Sequence, residues 1–220
     1  MPEPLRGATG ERMELDDYYA DFERVFWRTG EFWKLERGQV FAEPGDESWT
    51  LFNRGDWAGS LRVMEARRDD LTAYHREAAE AGVTARRIRI VERPLSAYMQ
   101  WELHHLKIRD ETGGPIRVLD ASAVADIESG GPMPEIYTLG TEVMYQAVYD
   151  GSGVLEHVVR YTDQLLVHRC RDFIGALYER GEPVADYFAR EVAPLPPPVP
   201  DDPLPEGYLD RTGRPGPIRS

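Results

Sequence analysis

Between Thr84 and Asp120 the chain reads as strand, helix, strand, and that order limits the possible folds more than any other stretch. "VTARRIRIV" alternates strictly, with Ile88 and Ile90 on one side and Arg87 and Arg89 on the other. "ERPLSAYMQWELHHLKIRD" then places Leu95, Met99, Leu103 and Leu106 at helical spacing, with Pro94 suited to a first helical turn. After Gly113 and Gly114, "PIRVLD" reads as a second strand. Strand, helix and strand within about 35 residues make a parallel crossover, which is right-handed in nearly all cases. The expected class is therefore α/β.

Periodicity predicts three further helices. Leu15, Tyr18, Tyr19, Phe22, Val25 and Phe26 mark the first, over residues 15–28. Leu61, Met64, Leu71 and Ala78 mark one continuous helix from Asp56 to a stop at Gly82. Asp163 caps the last, in which Leu166, Cys170, Phe173 and Leu177 line up. "EFWKLERGQVF" reads as a short strand or pair of strands, after which Pro44, Gly45 and Asp46 signal a turn and a helix cap. "MPEIYTLGTEVMYQAVYD" and "GVLEHVVRYT" are two β-rich runs joined by a hairpin at residues 150–153, so the sheet is mixed. The expected architecture is one α/β domain over residues 1–192, with a sheet of about five strands flanked by helices, then a proline-rich C-terminal tail over 193–220.

The formal charge, −13 from 39 acidic and 26 basic residues, predicts no direct nucleic-acid partner. Cys170 stands alone, so no intramolecular disulfide forms. No basic-then-apolar leader opens the sequence, and no apolar run approaches the roughly 20 residues of a membrane span, which together predict a cytoplasmic chain with no membrane contact. Phosphate loops, dinucleotide fingerprints, paired-cysteine zinc patterns, HExxH and GxSxG are all missing, so neither a cofactor nor a metal is expected.

The chemistry that is present sits on the crossover helix. Glu102 projects between the leucines of the apolar face, flanked by Tyr98, His105 and Arg109. A carboxylate buried there must be protonated or meet a cation, and Arg68 or Arg87 is the expected partner. Arg68, Arg87, Arg89, Tyr98, Glu102, His105 and Arg109 are thus the candidate ligand-binding set, suited to a small anion. The competing reading is a hydrolase or transferase acting on a phosphate or acyl group through Glu102 and His104 or His105. Adjacent helical residues diverge by about 100°, so His104 and His105 do not share one metal.

"HLK" at residues 105–107 matches the His-x-Lys core of phospholipase D type phosphodiesterases, and the crossover with a mixed sheet is loosely similar to half of that fold; the aspartate expected five residues on is Thr112 here. A second resemblance rests on "FWKLERGQVFAEPGDESW", "YHREAAEAGVTARRIRIVERPLSAYMQWELHHLKIRDETGGPIRVLD" and "MPEIYTLGTEVMYQAVYD". Over roughly residues 30–190 the chain resembles an actinobacterial family of unknown function, often encoded beside helix-turn-helix regulators. The resemblance implies a regulatory or protein-interaction module with a protein partner, such as a helix-turn-helix regulator, and carries no activity over. Exposed tryptophans among Trp27, Trp33, Trp49 and Trp57 would allow a homodimer.

Overall fold

The computed structural model describes residues 5 and 7–200. Strands β1 (Glu11–Met13), β2 (Glu31–Glu36), β3 (Thr84–Val91), β4 (Ile116–Asp120), β5 (Ile136–Leu139), β6 (Val143–Tyr149), β7 (Leu155–Tyr161) and β8 (Glu182–Pro183) form one sheet in the order β1-β7-β6-β5-β2-β3-β4-β8. Helices α1 (Leu15–Phe26), α2 (Glu47–Asn53), α3 (Trp57–Ala66), α4 (Arg68–Glu80), α5 (Ala97–Glu111), α6 (Gln164–Arg180) and α7 (Val184–Tyr187) cover it, and a π-helical turn follows over Phe188–Val192.

The expected crossover is present. β3 and β4 are parallel neighbours with Arg87 opposite Ile116, and α5 connects them. A second parallel pair, β2 and β3, is bridged by α2, α3 and α4. β5, β6 and β7 add an antiparallel meander.

The count of about five strands is corrected to eight. One expected run splits at Gly140, whose φ of +56 turns the chain between β5 and β6, a backbone region that glycine enters at little cost. β1 and β8 are edge strands of three and two residues, too short to show alternation. The continuous helix expected from Asp56 is also two helices, broken at Arg67, whose Nη1 lies 2.5 Å from Asp46 Oδ2. Pro94 precedes α5 rather than opening it. Ser96 is the N-cap, accepting from Met99 N at 3.0 Å.

Strand alternation divides the sheet into two unlike faces. Trp33, Leu35, Ile88, Ile90, Ile136 and Met144 pack beneath α6 on Cys170, Ile174 and Leu177. Cys170 is a buried hydrophobe there, its thiol pushed up to about 11 by burial. The opposite face meets α1 around Phe26, Phe32 and Tyr145, and meets α5 around Met99, Leu103 and Val118. A fourth cluster joins α2 and α3 to α5 through Trp49, Phe52, Met64 and Trp101.

Asp163 caps α6 by accepting from Leu166 N at 2.9 Å, as expected from sequence. Asp163→Ala should lower unfolding stability by about 1 kcal/mol, read from the urea midpoint at unchanged slope. Of the expected tail, residues 193–200 leave the last turn as largely exposed irregular chain, and residues 201–220 lie outside the described residues. Among the described residues no helix is long and apolar enough to cross a membrane.

Candidate functional site

The face of the sheet opposite α6 carries a charged stripe between its apolar clusters. On β2 the alternation that buries Trp33 and Leu35 beneath α6 turns Lys34 and Glu36 the other way. β3 does the same with Arg87 and Arg89. The parallel register sets Lys34 beside Arg87 and Glu36 beside Arg89, so four charges share one patch of pleat. Glu36 Oε1 lies 2.8 Å from Lys34 Nζ, and its Oε2 lies 3.0 Å from Arg87 Nη1 yet accepts no hydrogen bond. Against the upward push of burial, Arg87, Lys34 and Arg89 hold the Glu36 carboxyl at about 2. Glu135 joins the patch and accepts from the backbone N–H groups of Arg37, at 2.6 Å, and Gly38. Burial raises it, with Arg89 pulling the other way.

α5 lies over this stripe and contributes the roof. Tyr98, Glu102, His105 and Arg109 recur at spacings of four, three and four, which is one line along a helix. Glu102 Oε2 accepts from Arg89 Nε at 2.9 Å and lies 2.7 Å from Arg89 Nη2. The expected neutralising partner, Arg68 or Arg87, is therefore corrected to Arg89. Burial lifts Glu102 to about 7 even with that guanidinium in place. Arg68 leaves the site altogether. The break at Arg67 starts a new helix, and Arg68 pairs instead with Glu65 and with Glu111, the latter at 2.9 Å.

Between stripe and roof is a cavity of 120 Å³. Of the residues singled out from sequence, Arg87, Tyr98, Glu102, His105 and Arg109 line it, and Arg89 stands behind Glu102. Sequence reading missed Lys34, Glu36 and Glu135 on the floor and the aromatic wall of Phe41, Trp101, Tyr137 and Tyr149. Lys34 and Glu36 were detectable, because "FWKLE" alternates as "RRIRI" does. Glu135 sits just before its strand and left no such signal.

The imidazoles are poor proton acceptors. His105 is pulled down to about 3 by burial first and Arg109 second. His104 lies off the cavity wall, its ring edge-to-face with Trp57 at 5.0 Å and Phe188 at 4.7 Å, and burial lowers it to about 4. Arg109 is almost fully buried, and burial followed by the Arg87 guanidinium lowers it to about 10. Among the described residues no group of three or more His, Cys, Asp or Glu side chains is placed to hold a metal.

Residues 14–189 match the family described as a domain of unknown function, DUF6879. No curated protein shows significant similarity to the chain. One similar solved structure is that of TrmBL2, an archaeal chromatin protein that shows a novel mode of DNA binding. It has a TM-score of 0.40 and 10% identity, over 82% of this chain and 55% of that one, so this chain spans about half the length of the protein it matches. The expectation of no direct nucleic-acid partner is withdrawn, because a net charge of −13 does not by itself exclude contact with DNA. The likeness assigns no partner to this chain.

Proposed function

The chain belongs to the family described as a domain of unknown function (DUF6879), and from that premise we propose a non-enzymatic regulatory module that senses a small anionic ligand in the cavity under α5. One observation carries the reading: two buried arginines, Arg87 from the sheet and Arg109 from the roof, line the same partly open cavity. Burial and the Arg87 guanidinium work against the charge on Arg109, with Tyr74, Glu36 and Asp46 pulling the other way, and a bound anion adds to that favourable side. The aromatic wall adds a low-dielectric setting in which such a contact is strong. Glu36, held ionised by Lys34 and Arg87, fixes the Arg87 guanidinium in place.

A hydrolase or transferase using Glu102 with a histidine draws less support. His105 titrates near 3, far from the neutral range where a general base works best, and Glu102 is occupied by Arg89. Calorimetric titration with acetate, phosphate and sulfate at fixed ionic strength tests the sensing reading. At least one should bind, and Arg109→Gln should weaken it about tenfold or more. Equal binding by the variant, or none by either protein, rejects it. Turnover of p-nitrophenyl acetate or p-nitrophenyl phosphate that disappears in His105→Ala would establish the enzyme instead.

A further inference from the structure

The polar cavity has a neighbour of opposite character. A second chamber of 40 Å³ lies among α1, α4, β2, β3 and the start of β4, walled by Phe26, Phe32, Tyr74 and Ile116. Phe26 stacks on Tyr74 with ring centres 5.9 Å apart and meets Phe32 edge-on at 6.0 Å. Arg87, Arg109 and Phe22 line both chambers. The first chamber carries Glu36, Glu102 and Glu135 among its walls. The second has arginines and no acidic side chain in its lining.

A ligand that uses both sides of the two arginines needs an anionic group at the boundary and an apolar portion beyond it. The volume sets the length of that portion. At roughly 10–15 Å³ per water-sized position, the second chamber holds about three such positions, or about three carbon atoms in a row. Resting on the anion-sensing reading, we infer that the two chambers form one bipartite site for a short, unbranched aliphatic monocarboxylate, with its carboxylate at Arg87 and Arg109 and its chain in the aromatic chamber.

Affinity along a carbon series tests this on the intact chain at fixed ionic strength. From acetate to propanoate to butanoate the Kd should fall about fourfold per carbon, because each added methylene leaves water for an apolar wall. Hexanoate should gain little more once the chamber is full. Ala85 lies opposite Phe32 across the β2–β3 pair and lines only the second chamber. Ala85→Leu fills that space and should collapse the butanoate-to-acetate ratio from about sixteenfold to about one. Ala85→Val should give an intermediate ratio, and a thermal melt of each variant establishes that it is folded.

If acetate, propanoate and butanoate bind with one affinity, or if the preference survives in Ala85→Leu, the bipartite site is wrong while anion sensing stands. If no carboxylate binds but phosphate or sulfate does, the bipartite site is likewise wrong while anion sensing stands. If 1-butanol binds as tightly as butanoate, or none of the carboxylates, phosphate and sulfate binds, the anion-sensing reading fails and takes the bipartite site with it. The carbon slope in the unaltered chain decides the question even if both Ala85 variants fail to fold.

Discussion

Arg89→Met should destabilise the fold by about 3–5 kcal/mol at pH 8, the usual cost of stripping one partner from a buried ion pair. Arg89 is fully enclosed at 0% exposure, and its guanidinium reaches Glu102, the Ile90 carbonyl at 3.3 Å and the Gly38 carbonyl. Methionine fills much of the same space without the charge. What remains is a buried Glu102 that faces Glu36, with Arg87 as the lesser charge in its favour. The loss is thus more than one ion pair. It also takes the Arg89 donor from the Gly38 carbonyl, while the Ile90 carbonyl keeps the Gln39 side-chain amide at 2.9 Å, and it brings three acids together without the cation they share. Arg89→Met/Glu102→Leu should recover most of the stability, since both charges leave together, and the difference between the double variant and the two singles measures the coupling. Urea unfolding of the four proteins closes the cycle. A single-variant loss below about 1 kcal/mol would mean that α5 is held on the sheet by its apolar face alone.

Part of this site was legible in the sequence. The strand "RRIRI" showed Arg87 and Arg89 on one face, and the helix showed Glu102 in line with Tyr98, His105 and Arg109. Those patterns are local, with periods of two and about 3.6 residues. The partner of Glu102 was not legible, because it depends on how far α5 slides along β3, and that is set by packing at Met99, Leu103 and Leu106 against Val91 and Val118. The same limit hid Glu135, brought in by an antiparallel strand from later in the chain. Gly140 shows the opposite case. A single glycine inside an apolar run is compatible with an uninterrupted strand or a turn, and only the pairing of β5 with both β2 and β6 selects the turn. Net charge decides little for a different reason: it sums over the whole surface and says nothing of where the 26 basic residues gather.

Glu102→Gln should change how stability depends on pH, and the sign follows from the direction of the shift. Glu102 titrates near 7 in the fold against an ordinary value of 4.5. As pH rises from 4.5 the unfolded chain gives up this proton first, while the folded chain keeps it until about 7. The stabilisation linked to residue 102 is therefore fully present below pH 4.5 and lost as pH rises through 7, by on the order of 3 kcal/mol. Glu36 runs the other way. Held at about 2, it stabilises above 4.5 and loses that contribution as pH falls toward 2. Both proteins keep Glu36, so its part cancels when the unfolding free energy of the glutamine variant is subtracted from that of the unaltered chain. The difference should decline between pH 4.5 and 8 and stay level above. A level difference across that whole range would mean that Arg89 already holds Glu102 ionised at pH 5. The roof of the cavity would then carry a permanent negative charge, and the preference for an anion would have to come from Arg87 and Arg109 against it, which lowers the affinity expected for every carboxylate in the series.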